Sequence, residues 1–282
     1  MRDDLSLSGG LADKDFGRLA EFIQRGYGIK MPPAKKAMLE SRLQSRVTQL
    51  GMNGYAEYVD YLLSEEGLLN ELPAMISRVT TNKTEFFRSP VHFEILTTET
   101  LPELARSGRR DSPIRFWSAG CSTGEEPYTI AMVVEEYCAT AGRVEYEILA
   151  TDLSPQALGV GRRAVYAAGT VTDIPQPFLH RYLMRSKDPV RREVRIVPEL
   201  RSRVEFRQFN LMDTLPVTHD LIDVVFCRNV IIYFDRQTQT GVLNRIAQVL
   251  RPGGYLFLGQ SETLIDKRLP FVQTGSAVYR RM

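Results

Sequence analysis

The stretch from Ile114 to Tyr128 constrains this chain more than any other. Ile114, Phe116 and Trp117 make a short apolar run that reads as a buried strand. It breaks at Ala119-Gly120-Cys121-Ser122-Thr123-Gly124 and resumes as a helix from about Glu125, with Pro127 in the first turn where a missing N–H costs nothing. A strand, a small-residue turn and a helix start expose backbone N–H groups to a ligand, the outline of a nucleotide-type site. The glycines are spaced G-x-x-x-G, which matches neither the dinucleotide fingerprint nor the phosphate loop. Glu125 and Glu126 would repel a pyrophosphate, so the ligand this turn suits is a phosphate-free nucleoside, and a cationic one fits best. The competing reading is an ordinary βα turn with acids that complement the helix dipole.

The rest of the C-terminal part supports a site. Tyr146–Ala150 reads as a parallel strand ending in Thr151-Asp152, at roughly the spacing where an acid grips a ribose diol in nucleotide-binding α/β folds. Ser154-Pro155 opens a helix ending near Tyr166. Asn210-Leu211 follows a strand at Val204–Phe209 and suits an adenine edge and face. The almost wholly apolar Leu221–Phe226 is a central parallel strand ending in Cys227-Arg228-Asn229. Asp235 caps a helix ending near Leu250, Arg251–Gly254 signals a turn, and Tyr255–Gly259 and Ala277–Arg281 pair as antiparallel strands. These elements give an α/β fold: a Rossmann-like, mostly parallel sheet with helices on both faces.

Before this part, the pattern from Asp13 to Leu72 is helical. A first helix runs to Tyr27-Gly28, and a second carries the stripe Leu39, Leu43, Val47 and Leu50. Further helical runs cover Tyr55–Leu63 and Leu68–Ile76, completing a small all-helical domain over residues 1–78. Arg42 and Arg46 lie one turn apart beside the stripe, with Lys35 and Lys36 at the entry; the face is either solvated or a dock for an acidic helix. Thr80–Arg88 combines polar side chains, a fixed cation at Arg88 and two aromatics, and reads as a ligand-binding segment, a helix start capped by Thr84, or both. The helix after it leads to a basic, solvent-facing linker at Arg106–Arg110. The main α/β domain spans residues 79–282. Within it, residues 180–208 form an inserted antiparallel β subdomain, because Glu193–Val197 and Arg203–Arg207 alternate polar and apolar side chains. Its dense arginines are better suited to a protein partner than to nucleic acid, since stacking aromatics are sparse.

At 282 residues, with 43% hydrophobic and 25% charged side chains, the chain has the composition of a globular protein of one large domain, or of a main domain with a small companion. Three scattered cysteines and three histidines indicate neither a disulfide framework nor a metal site. No apolar run approaches the ~20 residues of a membrane helix, and Met1–Asp4 does not begin a signal peptide, so a cytoplasmic protein without membrane insertion is expected; nothing forms a long coiled coil, and a monomer is expected.

Taken together, Asn82-x-Thr84-x-Phe86-Phe87-Arg88, Trp117–Tyr128, Ala150-Thr151-Asp152, Asn210-Leu211 and Cys227–Asp235 resemble the chemotaxis receptor methyltransferases, the CheR family, over nearly the whole chain. The resemblance implies a class I methyltransferase sheet. It also implies S-adenosylmethionine as cofactor, S-adenosylhomocysteine as product, and methylation of glutamates on the cytoplasmic helices of bacterial chemoreceptors. In that reading Asn82, Thr84, Arg88, Ala119, Gly120, Glu125, Glu126, Asp152, Asn210, Leu211, Arg228 and Asn229 surround the cofactor. Tyr233 and Arg88 orient the acceptor carboxylate, no metal is used, and the receptor docks through Arg42, Arg46 and the inserted subdomain. The alternatives are a nucleic-acid methyltransferase of the same fold, which would carry an Asp/Asn-Pro-Pro-Tyr/Phe motif where Arg228-Asn229-Val230-Ile231 stands, and a non-catalytic nucleoside sensor. A nicotinamide dehydrogenase is disfavoured by the absence of G-x-G-x-x-G.

Overall fold

The computed structural model describes residues 9–106, 112–188, 190–214, 221–264 and 266–282. The chain opens with α1 (Asp13–Tyr27), α2 (Lys36–Gln49), α3 (Tyr55–Leu62), α4 (Glu65–Asn70) and α5 (Leu72–Val79). Gly28 ends α1 in a left-handed conformation (φ 71°), which a glycine adopts without steric cost. Leu39, Leu43 and Val47 are fully buried, whereas Leu50, expected in the same stripe, sits past the helix end and is exposed.

Arg42 and Arg46 are half-buried and engaged within this helical region, a correction to the free basic face expected from the sequence. Arg42 donates to the carbonyls of Val79 (2.6 Å) and Thr80 (3.2 Å) at the end of α5. Arg46 grips buried Glu71 through two nitrogens at 2.9 and 2.5 Å, and Tyr58 donates to the same carboxylate at 2.9 Å. Buried Glu71 requires such partners, and spacing along one helix cannot reveal them.

A loop at Thr80–Ser89 leads into α6 (Pro90–Ile95), a π-helical turn at Leu96–Thr100, and α7 (Leu101–Arg106). Thr84 caps no helix: Pro90 at the first helical turn disfavours helix before it, and Ser89 adopts φ 58°. Of the basic linker expected at Arg106–Arg110, Arg106 closes α7 and the remainder lies outside the described residues. Then follow β1 (Ile114–Ala119), α8 (Glu125–Ala141), β2 (Tyr146–Asp152), α9 (Pro155–Arg163), β3 (Val165–Ala167), α10 (Gln176–Tyr182), β4 (Leu183–Arg185), β5 (Glu193–Ile196), α11 (Pro198–Arg201) and β6 (Val204–Gln208). The chain finishes with β7 (Ile222–Cys227), α12 (Arg236–Val249), β8 (Leu250–Leu258), β9 (Phe271–Gly275) and β10 (Val278–Arg281).

The main sheet has seven strands in the order β6-β2-β1-β7-β8-β10-β9. Its first five strands are parallel, and β10 runs antiparallel to both β8 and β9. From β1 the chain adds β2 and β6 on one side and then returns to add β7 and β8 on the other, so the strand order switches between β1 and β7, and the carboxyl ends of these strands flank the crevice where open α/β sheets bind ligands. Strand alternation divides the core between the two faces. Phe116, Val224, Phe226 and Phe257 pack with α8, while Trp117, Val225, Cys227 and Leu256 pack with α12 in a cluster that continues into the amino-terminal helices. Full burial of each such large side chain contributes about 1.5–3 kcal/mol.

The small antiparallel sheet is β3-β5-β4. This corrects the expected hairpin: Val204–Gln208 does not pair with Glu193–Ile196 but joins the main sheet parallel to β2, with Ala150 opposite Phe206. Its alternation arises because an edge strand of a covered sheet is also half-exposed, so the pattern alone does not distinguish the two placements. The partner strands are instead Val165–Ala167 and Leu183–Arg185, so the helix after Pro155 stops at Arg163 and Tyr166 lies on a strand. β9 was not anticipated from the sequence. Many arginines of the insertion meet acids: Arg181 with Glu136, Arg191 with Asp188, Arg203 with Glu145 and Arg207 with Glu205.

Candidate active site

A cavity of ≈ 320 Å³ opens at the carboxyl ends of β1, β2, β6 and β7, within the size range of small-molecule sites. Its floor is the turn after β1. Gly120 has φ 81°, and a Cβ there would come within 2.4 Å of a Val230 methyl group, so the turn and the loop after β7 touch only because no side chain intervenes. Two left-handed residues line the cavity, Ser122 (φ 50°) and Asn229 (φ 58°), and two more, Phe87 (φ 54°) and Ser89 (φ 58°), flank the lining residue Arg88. Such clustering is typical of functional sites.

Asp152 ends β2 beside this turn. Its carboxylate accepts from the backbone N–H of Ser122 at 2.8 Å and of Ser154 at 2.9 Å, which fixes both oxygens and leaves acceptor capacity toward the cavity. Burial pushes its pKa up, against the pull of those N–H groups. Gly120 N–H in turn donates to Thr151 carbonyl at 2.8 Å, locking the turn to β2. Farther in, Glu126 accepts from Ser118 Oγ at 2.6 Å and lies 3.6 Å from Arg228 Nε. Burial raises the Glu126 carboxyl, and Arg228 opposes the rise. Arg228 also donates to the Arg88 carbonyl and lies over the Phe93 ring, so it fastens the Thr80–Ser89 loop to the strand ends. Ser122 Oγ holds the Asn82 carbonyl of the same loop at 2.9 Å.

Of the residues expected from the sequence, Asn82, Thr84, Arg88, Gly120, Glu126, Asp152, Asn210, Leu211, Arg228, Asn229 and Tyr233 line the cavity. Ala119 and Glu125 do not: Ala119 is fully buried in β1, and Glu125 is turned to Thr123 Oγ1 at 2.6 Å. Successive residues of a helix start point about 100° apart, so of the acid pair only Glu126 lines the cavity. Asn210 lies on the wall, but its amide is engaged with the Gly26 carbonyl (2.8 Å) and the Met212 N–H (3.0 Å).

The sequence reading missed one whole wall. Tyr27, Ile29, Met31, Lys35 and Met38 reach the cavity from the helical region, and Lys35 Nζ sits 5.7 Å from the centre of the Tyr233 ring. Lys30 N–H donates to the Tyr233 carbonyl at 2.9 Å, stitching the wall in place. Ser122, Leu153 and Phe209 also line it. Apart from Ser122, which sits in the turn already singled out, no local motif marks these residues.

The donor set suits a nucleoside bearing a cationic centre: Asp152 and Glu126 present carboxylates to the cavity, Leu153, Phe209 and Leu211 present apolar surface, and two carboxylates in so confined a space disfavour phosphate.

Comparison with known proteins points to one family. Residues 14–80 match the family described as "CheR methyltransferase, all-alpha domain", and residues 82–279 match "CheR methyltransferase, SAM binding domain". The chain is 34% identical to the chemotaxis protein methyltransferase of Borreliella burgdorferi, over 98% of this chain and 97% of that one. It is 38% identical to chemotaxis protein methyltransferase 1 of Pseudomonas aeruginosa (90% and 91%) and 35% identical to the chemotaxis protein methyltransferase of Escherichia coli (95% and 91%). The fold is that of a class I methyltransferase whose cofactor is S-adenosylmethionine, and the chain belongs to the CheR methyltransferase family.

Proposed function

We propose that this protein methylates glutamate side chains on the cytoplasmic helices of bacterial chemoreceptors, forming methyl esters that adapt the sensory response. The observation that carries the proposal is a cavity in which Asp152 and Glu126 are fixed at the strand ends while Tyr233, Lys35 and Arg88 line the same space. The names of the relatives support the chemotaxis setting.

Asp152 would hold the ribose hydroxyls, and Glu126 the positive end of the amino-acid moiety. Asn82, Thr84 and Arg88 would line that moiety, and Leu211, Asn210 and Asn229 the adenosyl group. Arg228 lines the same cavity, lies beside the Glu126 carboxylate and holds the Arg88 backbone in place. S-adenosylmethionine, when bound, supplies an electrophilic methyl group on a sulfonium. The acceptor glutamate, with an ordinary pKa near 4.3, is already ionised at neutral pH and needs no general base. Tyr233 and Arg88 therefore act by orientation, holding the carboxylate in line with the methyl group. They should not bind it too firmly, because its charge disappears on transfer.

The ion-paired arginines of the insertion leave less free positive charge for nucleic acid than their number suggests. The test is incubation with methyl-labelled S-adenosylmethionine and receptor-containing membranes, followed by base treatment. Release of labelled methanol is expected; label stable to base, or label in nucleic acid, would sink the proposal.

A further inference from the structure

Glu262 lies just beyond β8 and is absent from the cavity wall, yet it is 3% exposed and its carboxylate is aimed at the loop after β7. One oxygen accepts from Gly259 N–H (2.6 Å) and Asn229 N–H (2.8 Å), and the other from Ile232 N–H (3.2 Å). The first two donors follow β8 and β7 respectively, so one carboxylate ties together the carboxyl ends of two neighbouring strands. The third lies in the short 3₁₀ turn Ile231–Tyr233, whose N-terminal N–H groups have no partner within the turn. Gly259 makes the arrangement possible: a Cβ there would meet the Glu262 oxygen at 2.7 Å and Asn229 Nδ2 at 2.9 Å. The clamped Asn229 is left-handed (φ 58°), a conformation costly to a non-glycine residue unless its surroundings enforce it. Val230 packs against Gly120, and Tyr233 lines the cavity.

We infer that Glu262 is a positioning residue for methyl transfer: it clamps the backbone of the Asn229–Tyr233 loop so that Tyr233 meets the acceptor carboxylate in one fixed geometry. The inference rests on the proposed role of Tyr233. A carboxylate is suited to the task, since three N–H donors converge on it and a neutral amide would turn its own donor toward one of them. Desolvation raises the Glu262 carboxyl, while those N–H groups, with that of Ile231, oppose the rise.

The test compares Glu262→Gln, Tyr233→Phe and the double variant in receptor methylation, together with amide hydrogen exchange. Glu262→Gln should lower kcat by ~10–100-fold, the scale of small misplacements at a reacting centre, with receptor KM unchanged. Protection should be lost at Asn229, Ile232 and Gly259, and the double variant should be no slower than the slower single one. Glu262→Asp, which keeps the charge but withdraws it by one methylene, should give the same split if the glutamine variant does not fold. Full protection of the three amides in Glu262→Gln, or losses that multiply in the double variant, would overturn the clamp, as would a lower melting temperature with unchanged kcat per folded molecule. Failure of the wild-type protein to label any receptor would instead overturn the methyl-transfer reading, and amide exchange would still decide whether Glu262 clamps the loop.

Discussion

The backbone N–H of Ser122 donates to Asp152 Oδ2 at 2.8 Å, so the glycine turn after the first strand and the acid that ends the second form one rigid unit. Ser122 reaches this position through a left-handed conformation (φ 50°) that the turn enforces. The carboxylate is thereby oriented before any ligand arrives, which lowers the ordering cost of binding.

Replacing Asp152 with Asn removes the charge and turns one oxygen into a donor. A hydrogen bond to a charged group is worth roughly 1.5–3 kcal/mol, so the dissociation constant for S-adenosylmethionine should rise ~10–100-fold. Titration calorimetry would read this directly. Affinity within twofold of wild type would exclude Asp152 from the cofactor site.

Gly120→Ala places a methyl group against Val230 and forces alanine to φ 81°. The strained backbone alone should cost about 1–3 kcal/mol, measured by denaturant unfolding. Adding Val230→Ala should relieve the clash but not the backbone strain, so stability should return only in part. Complete recovery would show that sterics with Val230 were the sole reason for glycine.

Arg46→Ala should destabilise the helical region rather than merely trim a docking surface. Glu71 is 2% exposed and would keep Tyr58 but lose both guanidinium contacts, and breaking a buried pair costs about 3–5 kcal/mol. Thermal unfolding should show the loss. Charge reversal of Arg46 is therefore a poor probe of receptor docking, because it would unsettle the fold first.

His92 makes acid stability specific. Its ring is fully buried, with Nε2 3.1 Å from the Ser276 carbonyl; burial, helped by the Arg228 charge, pulls its pKa from 6.5 down to about 4. Between those values the unfolded chain binds a proton that the folded chain refuses. The contribution of neutral His92 is therefore whole above pH 6.5 and is lost as the pH falls toward 4, by ~3 kcal/mol in all. Subtracting the stability profile of His92→Gln from that of wild type should isolate this slope. A flat difference across the interval would refute it.

Most of the catalytic half was legible because its determinants are local. The strand, turn and helix at Ile114–Ala141, the acid at Asp152 and the Asp235 cap each follow from neighbouring residues, and the Asp235 side chain does accept from Thr238 N–H at 2.8 Å. Of the two readings of Thr80–Arg88, the cap at Thr84 does not form, because Pro90 and the left-handed Ser89 set the helix start. The pairing of Val204–Gln208 is not legible in the sequence, because alternation reports half-burial and not the identity of the neighbouring strand.

What the sequence determined by itself is therefore the set of elements and the chemistry carried at their ends: a mostly parallel sheet, a phosphate-free turn and an acid one strand away. Tertiary structure alone decided which of Glu125 and Glu126 lines the cavity, that Arg42 and Arg46 serve the fold, that Lys35 and Met38 complete the site wall, and that Glu262 clamps the loop bearing Tyr233. The physical reason is range. Strand alternation and helix starts are written within a few residues, whereas the partner of a buried charge lies wherever the folded chain brings a donor, here from Arg46 to Glu71 and from Asn229 to Glu262.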